Sequence, residues 1–221
     1  MSQFMNASVG RKYIMALSGL FLCAFLVEHL YGNLLLYAND NGAAFIEYSH
    51  TMVHSILIRI VEVFLFAAIF VHIIQAVNLT ARNNKARPVK YAVNKASENS
   101  SWYSRNMGLT GSVILFFLVV HIRTFFVSYR IIGLPEDSNV ARIVKEAFAS
   151  GWYSSLYVVA AVILGFHLNH GFQSAFQTLG LNNKKYAPIL KAIGTGFAIL
   201  ITLGFASFPI LFYFGIAGNT I

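Results

Sequence analysis

The chain has 221 residues, 57% of them hydrophobic and 11% charged, where an ordinary soluble domain is roughly a quarter charged. That composition, with a mean hydropathy of +0.63, excludes a soluble globular enzyme and leaves a single polytopic membrane domain over 1–221. The net charge of +8 then records orientation in the membrane rather than nucleic-acid binding. The one cysteine, Cys23, rules out a disulfide, a cysteine-ligated iron–sulfur cluster or a thioether-linked haem within this chain.

Met1 to Gly10 lacks the charged start, short apolar core and cleavage site of a removed signal peptide. A membrane span needs about 20 mostly apolar residues, and five stretches qualify: Lys12 to Tyr37, Met52 to Leu79, Met107 to Tyr129, Trp152 to Leu179 and Ala187 to Phe214. The expected fold class is therefore an all-α integral membrane protein with five transmembrane helices. Arg11 and Lys12, the loop holding Arg82, Lys85, Arg87, Lys90, Lys95 and Arg105, and the loop holding Lys184, Lys185 and Lys191 put 11 of the 16 basic residues on one side. The opposite side offers Asp40 and Glu47, and a loop where Arg130, Arg142 and Lys145 balance Glu136, Asp137 and Glu146. The positive-inside rule then predicts a cytoplasmic N-terminus and an external C-terminus. Within the third loop, Ile131 to Ser150, the recurrence of Val140, Ile143, Val144 and Ala147 predicts a short amphipathic helix along the outer surface. No internal repeat is evident.

Ionisable side chains deep in a span are costly, and each is a functional candidate. His29 lies 8 residues before Tyr37 and His121 lies 9 before Arg130, roughly 12–14 Å from the outer end at about 1.5 Å per residue. His72 lies 10 residues before Arg82, about 15 Å from the inner end, and the fourth span carries His167 and His170 in its inner half. Two stacked bis-histidine sites follow, one on the first and third spans and one on the second and fourth. Two neutral imidazoles without a carboxylate or thiolate make a poor zinc site and a good axial pair for haem iron. On the fourth span, depth slightly favours His170. Gly171, one turn beyond His167 on the same face, favours His167 by clearing space for a flat macrocycle. The competing reading is four unrelated polar residues joining helices by hydrogen bonds.

Arg11-Lys12-Tyr13, Ser18-Gly19-Leu20-Phe21-Leu22 leading to His29, then His72, His121 and His167-Leu168-Asn169-His170-Gly171 together resemble the di-haem, five-helix cytochrome b subunit of succinate dehydrogenase and fumarate reductase complexes. The likeness covers essentially the whole chain. It implies a four-helix haem-binding bundle plus a fifth helix, with His29, His72, His121 and His167 as axial ligands to the iron of two b haems. It also implies a bacterial cytoplasmic membrane, menaquinone or another quinone as substrate, and a flavoprotein and an iron–sulfur subunit docked on the cytoplasmic face. The chain would then be a subunit of a succinate:quinone or quinol:fumarate oxidoreductase, with the dicarboxylate chemistry left to its partners. The basic loop from Arg82 to Arg105 is the expected contact for the iron–sulfur partner, or for anionic lipid head groups.

Quinone chemistry needs a proton-exchanging group near a haem edge, and histidine suits neutral pH. His54 lies 18 residues before His72, five helical turns on a continuous helix, so it is expected on the same face near the outer surface. Arg59 and Glu62 lie just deeper and complete the candidate quinone site, although an i, i+3 pair there is equally a structural feature. Arg123 is placed to meet a propionate or to snorkel, and Glu28 points away from His29. The alternative functions are a cytochrome b subunit of a hydrogenase or formate dehydrogenase type, or a haem-free transporter.

Overall fold

A computed structural model of the protein describes residues 8–85, 101–133, 139–181 and 183–218. The described residues form helices and no strand: α1 (Ser8–Leu34), α2 (Ala43–His54), α3 (Ile56–Lys85), the short α4 (Trp102–Arg105), α5 (Met107–His121), α6 (Val140–Phe148), α7 (Gly151–Thr178) and α8 (Ala187–Tyr213). Among the described residues, five helical stretches are long and apolar enough to cross a membrane: Val9–Tyr37, Ile56–Arg82, Met107–Ile132, Gly151–Thr178 and Ala187–Tyr213. Their outward faces are apolar yet uncovered; Val63 is 70%, Phe64 64% and Leu203 66% exposed. Such a surface is tolerated where hydrocarbon replaces water. Arg87, Lys90, Lys95, Glu98, Glu136 and Asp137 lie outside the described residues.

α1 packs against α3 on one side and α7 on the other, and α5 packs on α7. The circuit closes where Phe66 of α3 meets Phe126 beyond α5, ring centroids 5.2 Å apart. In this four-helix arrangement α1 stands diagonal to α5, and α3 to α7. α8 is the fifth helix, applied to the outside of α7 and α1. Small residues let it approach: a Cβ built on Gly165 would strike the Thr202 side chain of α8, and only glycine avoids that.

Three boundaries differ from the sequence expectation. The second span does not begin at Met52: the chain is helical to His54, breaks at Ser55 (φ −74°, ψ 121°) and restarts at Ile56. Ser55 caps the new helix, its Oγ accepting from Ile58 N at 3.5 Å, which is why the break falls there. The third span runs past Tyr129 to Ile132 as a π-helical extension, Ile122–Ile132. Arg130 therefore belongs to the span, not to the loop. The amphipathic helix of the third loop exists as α6, capped by Asn139, whose Oδ1 accepts from Arg142 N at 2.8 Å. Its buried face is Ala141, Val144 and Phe148, which keeps Val144 of the expected stripe, while Val140, Ile143 and Ala147 are half-buried. The Phe148 ring packs on Tyr157 at 5.0 Å and Phe212 at 6.3 Å, which seats α6 against α7 and α8.

Candidate functional site

α1 and α5 share a local pattern: a hydroxyl residue, a glycine, nine residues and a histidine, Ser18-Gly19 to His29 and Thr110-Gly111 to His121. Eleven residues make three turns within about 20°, so hydroxyl and histidine share a face some 16 Å apart along the axis. Each helix thus serves two levels, with its hydroxyl at one and its histidine at the other.

At the level of the hydroxyls, His72 of α3 and His167 of α7 face each other with ring centroids 6.4 Å apart. Ser18 Oγ donates to Met15 O at 3.1 Å and stands 3.2 Å from His72 Nδ1. Thr110 Oγ1 donates to Met107 O at 3.2 Å and stands 3.1 Å from His167 Nδ1. With each hydroxyl proton committed to a carbonyl, the oxygen accepts from Nδ1–H. That holds both imidazoles in the tautomer whose Nε2 lone pair is free, the way a metal-ligating histidine is usually oriented. The glycines match as well: a Cβ on Gly19 would lie 3.4 Å from His72 Cε1, and one on Gly111 3.6 Å from His167 Cε1. A methyl at either position would sit in ordinary contact with the ring, so both glycines border the imidazoles directly.

At the other level His29 and His121 have ring centroids 5.7 Å apart. Tyr157 Oη stands 3.2 Å from His121 Nδ1 and 2.9 Å from Tyr153 Oη. A relay from Nδ1–H through Tyr157 to Tyr153 satisfies all three groups and again leaves Nε2 free. Phe25 stacks on His29 at 5.3 Å and Phe117 on His121 at 5.7 Å, walling this pair with aromatic rings.

A metal with two trans imidazoles at about 2.0–2.1 Å to nitrogen would separate the ring centres by roughly 6 Å. Both pairs fit that span. Among the described residues no group of three or more His, Cys, Asp or Glu side chains stands together. The pairs therefore suit a metal that brings its remaining ligands with it, as haem iron does.

All four expected histidines pair across the diagonals: His29 meets His121, the partner its depth predicts, and His72 meets His167, where depth slightly favoured His170. The ring that meets His72 is that of His167, three residues before the half-buried His170. A Cβ on Gly171 would meet only Met107 Cε, at 3.9 Å; the glycines that lie against the rings themselves are Gly19 and Gly111. His54 does not share a helix with His72. It ends α2, exposed, its Nδ1–H donating to His50 O at 2.8 Å and its ring stacked on His50 at 4.0 Å. The five-turn phase argument fails because Ser55 interrupts the helix. Arg59 and Glu62 do pair, at 4.0 Å, and Glu62 is also 3.6 Å from Arg130. Arg123 is exposed. Glu28 turns away from His29 and accepts from Tyr48 Oη of α2. Burial first, then that hydrogen bond and the carboxylate's charge, hold the Tyr48 hydroxyl well above the ordinary phenol range, so it is the donor.

Sequence reasoning missed Ser18, Thr110, Gly111, Tyr157 and Arg130. The matched hydroxyl–glycine–histidine spacing on α1 and α5 was the available signal for the first three, a correspondence of three positions too sparse to read as a repeat. No protein-family model matches the chain, and neither a curated protein nor a solved structure matches it.

Proposed function

We propose that this chain is the membrane anchor and electron-transfer subunit of a succinate:quinone or quinol:fumarate oxidoreductase, seating two b haems, one between His72 and His167 and one between His29 and His121. The observation that carries the reading is the pair of diagonal bis-histidine sites with their Nδ1 atoms held by neighbouring hydroxyls. A haem bound at such a pair supplies a reversible one-electron couple. The residues of this chain supply the rest. Ser18, Thr110 and Tyr157 hold ring orientation and tautomer, and the apolar spans exclude water from both levels. The diagonal packing sets the two levels about 16 Å apart along the bundle, a separation that electrons tunnel across between cofactors. The N-terminus is cytoplasmic in this reading, with the iron–sulfur and flavoprotein subunits on that side, beneath the level of His72 and His167.

Quinone, menaquinone in the simplest case, reacts at the opposite level. There Glu62, between the guanidinium groups of Arg59 and Arg130, is our candidate proton-exchanging group; His54 is left aside by its exposure and its pairing with His50. The test is purification from native membranes with a reduced-minus-oxidised spectrum, a haem-to-protein ratio and identification of the co-purifying subunits. Two low-spin b haems per chain with a flavoprotein and an iron–sulfur protein support the proposal. No haem refutes it, and two haems with hydrogenase or formate dehydrogenase subunits assign the chain to that other class.

A further inference from the structure

Arg11, in the first turn of α1, is 8% exposed, and its Nε is buried with no hydrogen-bond partner among the described residues. An arginine at a helix end ordinarily snorkels its head group into water; this one is turned inward. A buried cation without a partner is costly enough that a native site carrying one implies an anion. Arg11 lies seven residues, two turns within about 20°, before Ser18, so it projects from the same face as the hydroxyl that holds His72. It stands about 10 Å from that level, toward the start of α1. Gln75, one turn from His72 in the same direction, has a buried terminal amide atom, Oε1, that is also without a partner among the described residues. The two ends of a carboxamide are interchangeable by rotation, so Gln75 can present N–H there. Two polar side chains, the buried Arg11 and the half-buried Gln75, thus each carry a buried atom short of a partner among the described residues and stand on the same side of one histidine pair.

We infer that Arg11, seconded by Gln75, binds the anionic carboxylate arm of the macrocycle held between His72 and His167. The fork of the guanidinium suits a carboxylate, and protoporphyrin carries two on one edge. The inference rests on the haem reading above and fixes which edge of that haem faces the start of α1. The guanidinium charge also favours the reduced, less positive iron, so Arg11 raises the potential of this haem relative to a neutral residue.

The experiment uses the intact complex in native membranes, with Arg11→Gln, Arg11→Lys and Gln75→Leu variants. Haem content is measured, and both haems are titrated potentiometrically. Absence of haem from the wild type defeats the haem reading itself. With two haems present in the wild type, Arg11→Gln is expected to lower the potential of the His72–His167 haem by on the order of tenfold in its oxidised-to-reduced ratio at fixed potential, about 59 mV for one electron. The other haem is expected to hold its potential, and Arg11→Lys to recover most of the shift. Two haems with both potentials unmoved in Arg11→Gln overturn the inference, the anion then being a lipid phosphate or a partner's carboxylate. If Arg11→Gln does not assemble, redox-difference infrared spectra of wild type and Arg11→Lys with haem 13C-labelled at its carboxylates decide. A shifted labelled band supports the contact, and identical bands overturn it.

Discussion

Removing the Ser18 hydroxyl tests the site at its most specific point. In Ser18→Ala the Nδ1–H of His72 loses the acceptor at 3.2 Å, and the helix face around it is apolar. A buried donor left unpaired costs about 1–3 kcal/mol. The imidazole also loses the bias toward the tautomer that frees Nε2. Removing such an outer hydrogen bond commonly weakens metal binding 10–100-fold, or ~1.4–2.7 kcal/mol, so the two estimates agree. The helix itself gains slightly from alanine, which separates ligand loss from misfolding. The assay is transfer of haem from the detergent-solubilised complex to an excess of apomyoglobin, followed in the absorption bands of the two haems. The His72–His167 haem of Ser18→Ala is expected to leave 10–100-fold faster, with the other haem unchanged. Thr110→Val is expected to do the same through His167, and the double variant to lose that haem on purification. Ser18→Thr is expected to behave as wild type, because threonine already serves at the corresponding position on α5. Unchanged transfer in both single variants would refute the hydrogen-bond assignment.

Further outcomes follow from the same geometry. His29→Ala is expected to delete one haem signal and leave the other, whereas His170→Ala keeps both; loss of the His72 partner signal in His170→Ala would reverse the choice of His167. Glu62→Gln is expected to depress quinone-linked turnover at least tenfold with both haems and dye-linked partner activity intact, while His54→Ala leaves quinone-linked turnover at the wild-type rate. Gly165→Ala forces α7 off α8 at Thr202 and is expected to cost about 1–3 kcal/mol, read as a lower thermal inactivation temperature of the solubilised complex; Gly196→Ala, where a Cβ meets nothing within 4 Å, is the silent control.

Much of this protein is local and therefore legible in its residues. Span length, apolar content and a rise of about 1.5 Å per residue are properties of one helix at a time. They identify five spans, and they place His29 level with His121 and His72 level with the His167–His170 stretch without knowledge of any contact. They even orient Arg11 on the same face as Ser18. What they cannot supply is anything that depends on a second helix or on a single broken peptide geometry. Ser55 ends one helix and caps the next, and that one extended residue removes His54 from the face it was expected to share with His72. Phe148 joins the buried face of α6 because its pocket is made by Tyr157 of α7 and Phe212 of α8. The π-helical stretch carries Arg130 back to Glu62. Ser18 and Thr110 look like ordinary small residues until α3 and α7 bring a histidine to each, and Arg11 looks like an ordinary orienting charge until the fold buries it. Depth along a helix is written in the order of residues, whereas the partner met at that depth is decided by how the helices pack.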